Sequence, residues 1–514
     1  KNEDIINNKK YIKKSNDKMV YSSINRLVSY VKGNKLIFLT GTPMYNDAKE
    51  IISLLSILRL NDNHPPVKVS DIFTPHSSEF KKGGEELLKT ISTGYVSYVR
   101  GENPDTFPHL ITPKIFDKTH SLMTQGIYPR YTFNNKPITL PIKYLDLYTS
   151  TMSQYQESCY IHQLQLIKDS MGESVYTDID SMSYTKLSGP LQILNMAYPS
   201  SKHGTTGEKG FNSVMIKTKK TYAYKPEHDG IFKPNNIYKY SSKIKTILDN
   251  IKNSEGIVLI YSQWIWAGIV PMACALEESG FKRYEGTNIL ANGTTPKHST
   301  YAIISGSSQF TSNLKRTIRA LTTNNSDGSV IKVVIVSETG TEGLDLNNIR
   351  QVHIMEPWYN MSRIEQIIGR SKRNCSHNTL DTNKRNVTLY LHSYLMKDTE
   401  TLDMSVYRKA EQRAIEIGVV TRILKESSID CLLSDYNNDK SIIIPQTLSG
   451  GMKIKHDIAD EPFSAVCDYQ DNCSFTCNNK LDIKEFGTEN NTYSIEHAKN
   501  NVLIDELKQL FIIK

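Results

Sequence analysis

Cysteine is scarce in this sequence, with seven in 514 residues. So few thiols in so long a chain make no disulfide framework of the kind that staples small secreted domains, and they point to a reducing, intracellular setting. Charge of one sign does not dominate either. Sixty-two Lys and Arg against 54 Asp and Glu leave a net charge of +8, which permits a polyanionic partner without demonstrating one. An initiator Met and a signal peptide are both missing, since the chain opens Lys1-Asn-Glu-Asp; it reads as a fragment. Internal repeats and long low-complexity tracts are absent. Only one long uncharged run occurs, GIVLIYSQWIWAGIVPMACAL at 256–276. Ser262 and Gln263 split it and Pro271 interrupts it, so it reads as a buried strand followed by a helix, and no membrane partner is expected.

With 38% hydrophobic and 23% charged residues, the chain has the means to build packed cores, and at roughly 100–200 residues per domain it has room for about three. Residues 35–39 (KLIFL) read as a short strand ending in the turn TGTPM, with a helix over 47–60. From 63 to 241 the text is irregular and rich in Tyr, Lys and Ser, with helical patches such as 147–168. Regularity returns at Ser242. Helices at 243–252, 264–280, 313–321 and 361–370 alternate with strands at 256–261, 301–305, 332–337, 351–355 and 386–392. That alternation predicts a doubly wound parallel α/β sheet. A helical run from 397 to 433 and an amphipathic helix at 494–511 follow.

Two segments carry chemistry. TGTEGLDL (339–346) follows a buried strand, where glycines let the backbone approach a ligand and hydroxyls with an acid can contact phosphate or sugar. QIIGRSKR (366–373) places Arg370 and Arg373 three residues apart on one face of a helix or its C-terminal turn. Two guanidinium forks so spaced can grip a triphosphate and balance the charge that builds as the γ-phosphoryl leaves. A solvated basic helix end is the bland alternative.

TGTPM, TEGLDL and QIIGRSKR, in that order, resemble motifs III, V and VI of superfamily 2 helicases and translocases. GYVSYVRGENPDTFP (94–108), GIVLIYSQWIWAG (256–268), IRQVHIMEPWYNMSRIEQIIGR (349–370) and LKESSIDC (424–431) narrow the resemblance to the helicase-like transcription ATPases of large nucleocytoplasmic DNA viruses. The resemblance implies RecA-like architecture: the tail of a first, ATP-binding lobe at 1–60, a mainly helical insertion at 61–240, a complete second lobe at 241–397, a helical extension at 398–456, and a cysteine-containing segment at 457–514. It implies ATP and Mg²⁺ as cofactors. Thr40, Gly41 and Thr42 would couple the lobes, Gly343, Asp345 and Gly369 would line the nucleotide cleft, and Gln366, Arg370 and Arg373 would be catalytic. DNA, or RNA, would be the track, with a viral RNA polymerase or a second transcription-factor subunit as partner, in host cytoplasm or virion.

No GxxxxGK[ST] loop occurs, and Glu3-Asp4 has the wrong order for the acidic pair that holds Mg²⁺. By itself the chain is therefore expected to hydrolyse no ATP. A non-catalytic DNA-binding subunit on a degenerate helicase fold and a chromatin-remodelling-type translocase remain the alternatives. Lysines interleaved with aromatics at 201–245, chiefly Lys217, Lys219 and Lys220, are a candidate nucleic-acid surface. Cys431, Cys467, Cys473 and Cys477 could supply four thiolates to zinc. The spacing in CDYQDNCSFTC fits no standard zinc pattern, so ordinary thiols are the stronger expectation. Cys159, Cys274 and Cys375 read as packing residues, and His353 and His377 flank the arginine helix with no partner cluster that suggests a metal.

Overall fold

The computed structural model describes residues 12–31, 35–75, 77–98, 102, 105–171, 184–199, 203–291, 300–311, 313–341, 345–434 and 441–478. The helix expected at 494–511 and Glu3-Asp4 lie outside them. The strands in chain order are β1 (His109–Ile111), β2 (Tyr148–Ser150), β3 (Met215–Lys217), β4 (Tyr222–Tyr224), β5 (Ile257–Tyr261), β6 (Lys282–Arg283), β7 (Thr300–Ile304), β8 (Ile331–Val336), β9 (Ile349–Ile354), β10 (Asn386–Tyr394), β11 (Ile443–Thr447) and β12 (Lys453–Asp457).

The principal sheet is parallel, in the order β1-β10-β9-β5-β8-β7-β6, with β2 also paired to β10. Its middle strands are apolar along their length because both faces are covered. In β5 the side chains split by the two-residue period of a strand. Val258 and Ile260 enter a core with the helices Ser242–Lys252 and Val270–Glu278, while Ile257, Leu259 and Tyr261 enter a core with the helices Met361–Ser371 and Leu402–Glu426. The uncharged run at 256–276 is thus a strand, a π-helical turn (Ile265–Ile269) and a helix. No described helix is long and apolar enough to cross a membrane.

Three expectations need correction. Residues 35–39 form no strand: they lie without regular structure, Ile37 is 77% and Leu39 92% exposed, and no described strand pairs with them. A strand needs a neighbour for its backbone groups. The helical patch placed at 147–168 begins later, at Gln154, because Tyr148–Ser150 is drawn into the sheet as β2. The stretch read as irregular also contributes β1, and Met196, Tyr198, Phe211, Tyr222, Phe232 and Ile237 pack into the same core as the helix Ser242–Lys252.

Beyond Leu402, the helix Leu402–Glu426 spans two cores. Met404, Tyr407, Ala410 and Ala414 pack under the sheet, whereas Val420, Ile423 and Leu424 join Met44, Ile51, Ile52, Leu55, Phe73 and Leu88 in a separate helical cluster. Midway, buried Glu411 accepts the backbone N–H groups of Lys143, Tyr144 and Leu145 at 2.7–2.9 Å.

Buried histidines in and beside the sheet are held neutral. Burial pushes His353 down to about 3 and His377 to about 4, and it pushes His392 well below its ordinary value, with His353 at 3.0 Å adding to the effect. An unfolded histidine titrates near 6.5, so below that pH the unfolded chain takes up protons that the native one refuses. The stabilisation is complete above about pH 6.5 and is lost on acidification, by up to ~1.4 kcal/mol per pH unit for each histidine. Urea midpoints should therefore fall steadily from pH 7 to pH 5; a flat profile would mean that these rings protonate in the native protein.

Candidate functional site

The helix Met361–Ser371 organises the site. Asn360 caps it, accepting the N–H of Arg363 at 3.2 Å, and the helix buries Met361, Ile364, Ile367 and Ile368 against β9 and the long helix. Gln366 is left exposed, and Arg370 is half-buried near the C-terminal end. Arg373 lies just past the helix. Its Nε donates to the Gly369 carbonyl at 3.2 Å and its guanidinium pairs with Asp345 at 3.0 Å. The turn after β8 and the arginine segment, remote in sequence, are thereby brought together. Space beside Gly369 is open, with no atom within 4 Å of where a Cβ would stand. Gly343 lies outside the described residues.

The TGTPM segment docks at the other end of this helix. The Thr42 N–H donates to the Thr40 hydroxyl at 3.0 Å, and neither threonine caps the helix that follows. Glu50 instead accepts the N–H of Tyr45 at 2.6 Å and of Asn46 at 3.2 Å, and Asp47 accepts that of Lys49 at 2.9 Å. Asn46 is bonded by Asn360 at 3.0 Å and the Tyr45 carbonyl by Ser362 at 3.4 Å. Gly41 and Thr42 share a cavity of about 350 Å³ with Met361, Ser362 and Glu365 of the arginine helix and with Gly418 and Lys425 of the long helix.

Arg363 was not legible as a site residue in the sequence. It stacks on Trp358 at 3.6 Å, pairs with Glu338 and donates to the Tyr45 hydroxyl at 3.4 Å. Trp358 lies five residues before it, but Glu338 and Tyr45 come from remote parts of the chain, so no local spacing signals them. Lys217, Lys219 and Lys220 are exposed on the β3–β4 hairpin, whose Tyr222 N–H bonds the Ile289 carbonyl beyond β6. Strands β5, β8 and β7 separate that edge from β9, and the structure does not bring these lysines to the arginine helix.

The cysteine expectations are overturned in both forms. Cys431 pairs with Cys477 and Cys467 with Cys473, with Cα separations of 5.7 and 4.4 Å. The four sulfurs are neither thiolates for zinc nor free thiols. The fold returns residues 461–478 to the end of the long helix, where Cys431 waits 46 residues from its partner. Of the remaining three, Cys159 and Cys274 are buried free thiols as expected, whereas Cys375 is exposed. His353 lies on β9 and His377 in the turn after the arginine helix, both buried, and no described group of three or more His, Cys, Asp or Glu could hold a metal.

Residues 242–375, which run from the start of the helix before β5 to the arginine turn, match the model of the helicase conserved C-terminal domain. That stretch therefore reads as a helicase conserved C-terminal domain, and the chain as a whole is similar to helicase-like viral proteins. Similar proteins include "Putative helicase 087L" of Invertebrate iridescent virus 3, 25% identical over 505 residues that cover 96% of this chain and 43% of that one. "Putative ATP-dependent RNA helicase R563" of Acanthamoeba polyphaga mimivirus is 28% identical over 425 residues, covering 80% of this chain and 64% of its own. The "Termination factor NPH-I homolog" of African swine fever virus is 23% identical over 477 residues, covering 85% and 62%. This helicase-like chain thus spans about two-fifths to two-thirds of the length of these relatives.

Arg363→Ala should loosen the TGTPM dock. It removes a stacked guanidinium worth up to about 2 kcal/mol from a residue only 9% exposed. Arg363→Lys keeps the charge but not the planar stack and should lose nearly as much. Proteolysis of residues 35–49 measures the effect; cleavage as slow as in the parent would place the dock's strength elsewhere.

Proposed function

We propose that this chain belongs to an ATP-driven nucleic-acid translocase that works in viral transcription. The observation that supports it most is the setting of Arg373. Its partner Asp345 has a side chain 70% exposed, and an exposed pair of this kind is worth only about 0–1 kcal/mol. Charge-assisted, bidentate bonds from a guanidinium to phosphate are stronger. Arg373 is therefore free to leave Asp345 for a terminal phosphate, with Arg370 one helical turn behind it. ATP, when bound, supplies the phosphoryl group whose transfer releases energy; Mg²⁺ accompanies it, and no residue of this chain is assigned to hold that ion. This chain contributes the guanidinium charge, the Asp345 carboxylate that parks it, and Thr40, Gly41 and Thr42, which carry a change at the arginine helix into the TGTPM segment. Gln366, exposed on the same helix, would help place nucleotide or water.

The names of the relatives favour a nucleic-acid motor, with a role at transcription termination suggested by the African swine fever virus protein. DNA is the track we favour, RNA the alternative, and a viral RNA polymerase or a second transcription-factor subunit the partner. In the longest natural protein that contains this chain, Arg373→Ala should lower ATP turnover by about 10³-fold or more while changing nucleotide binding less. Arg373→Lys should not restore it. Turnover unchanged in either variant would remove the finger assignment and favour a non-catalytic DNA-binding subunit.

The hairpin lysines give a second test. Replacing Lys217, Lys219 and Lys220 by Ala should weaken nucleic-acid binding and flatten its log–log salt dependence by roughly 0.7–0.9 for each phosphate that is no longer neutralised. An unchanged slope would move the track away from the hairpin.

A further inference from the structure

Residues 461–478 cross from the sheet side of the arginine helix to the far end of the long helix, and their fastening is unusually complete. Arg422 of the long helix donates to Asp468 at 2.8 Å and to the carbonyls of Cys467, Asn472 and Ser474 at 2.8–2.9 Å. Lys425, one turn on, pairs with the other oxygen of Asp468 at 2.6 Å. The carbonyl of Asp468 presses on Gly418 so closely that a Cβ there would stand 1.8 Å from it. Phe463, Asp468 and Tyr469 are all non-glycine residues with φ between 52° and 57°, a conformation that persists only where its surroundings over-determine it. The Tyr469 hydroxyl donates to Glu365 in the middle of the arginine helix. Burial raises the Glu365 carboxyl, and this bond opposes the rise. At the other end Cys477 is joined to Cys431, and the Asn478 N–H bonds the Glu426 carbonyl at 2.8 Å.

We propose that residues 461–478 form a redox-fastened strap that holds the helix Leu402–Glu426 against the arginine helix Met361–Ser371, and that thiol reduction of its disulfides releases the two helices from each other. The Cys467–Cys473 link closes a small ring whose carbonyls face Arg422. Opening it restores to the segment the conformational freedom that the ring had removed, and the left-handed residues relax. Reduction balances as thiol–disulfide exchange: two external thiols are oxidised to one disulfide, and one protein disulfide becomes two cysteine thiols. Cys473 is half-buried while Cys431 and Cys477 are buried, so the small ring opens first.

The test is hydrogen–deuterium exchange on the 514-residue chain with and without dithiothreitol, with the disulfides mapped by mass spectrometry. It reads motion rather than turnover, so it succeeds or fails independently of the proposed ATPase role. Both cross-links should be found in the air-oxidised chain. On reduction, amides of 361–371 and 418–426 should exchange at least about tenfold faster, while β5, β8 and β9 keep their protection. The Cys467→Ser/Cys473→Ser double variant should behave like the reduced protein without reductant. Gly418→Ala should do the same with both disulfides intact, because it pushes Asp468 away. Free thiols in place of either cross-link in the air-oxidised chain, exchange unchanged by reduction, or equal loosening of the whole sheet would each overturn the strap.

Discussion

One buried ammonium holds the parts of this structure in register. Lys243, with no exposed surface, donates to Asp403 at 2.7 Å, to the Met355 carbonyl at 3.0 Å and to Asn195 at 3.4 Å. Asn195 donates in turn to Glu356, which also accepts from the Ser262 hydroxyl and the Gln263 N–H. The ends of β5 and β9 and the start of the long helix meet at this network. A buried charge without its partner costs several kcal/mol, about 3–5 by measurement on other proteins, so these elements are not free to shift independently. Burial raises the Glu356 carboxyl, but the Asn195 amide, the Gln263 N–H and the Ser262 hydroxyl favour its charged form.

The sheet was legible because its physics is local. Strands covered on both faces must be apolar along their length, and IVLIY and IKVVIV are. β9 announces itself less clearly, with Arg350, Gln351 and His353 all buried. Arg350 is tolerated there because it donates to the Asn386 and Thr447 carbonyls at 3.2 and 2.6 Å, and its side chain lies where any Cβ at Gly256 would be. β1 and β2 were illegible for the opposite reason. Three residues carry no period, and only the edge of β10 makes them strands. Residues 35–39 have a strand's composition and no edge to join among the described residues.

The site divides the same way. Gly369 and Arg370 stand on the last turn of one helix, and Arg373, just past its end, is held near them by the Gly369 carbonyl. The pairing of Asp345 with Arg373 crosses 28 residues, and the docking of Tyr45 on Arg363 crosses 318, so each appears only when the sheet has folded. Cysteine spacing could not pair Cys431 with Cys477, which meet only through the return of the strap, whereas Cys467 and Cys473 pair within one short segment.

The helix Met361–Ser371 is consequently tied at three levels by bonds of different character. At its start Arg363 is stacked, ion-paired and almost fully buried. In the middle, Glu365 is tied to Tyr469 of a segment that two disulfides close. At its end the exposed Asp345 opposes Arg373. An α-helix of this length is a stiff rod of about 16 Å, so its arginine end and its buried start are parts of one rigid element. That start is where the Tyr45–Asn46 segment is seated. On the proposed reading, this gradient from a rigid to a labile end is what would link a charge arriving at Arg373 to the TGTPM segment.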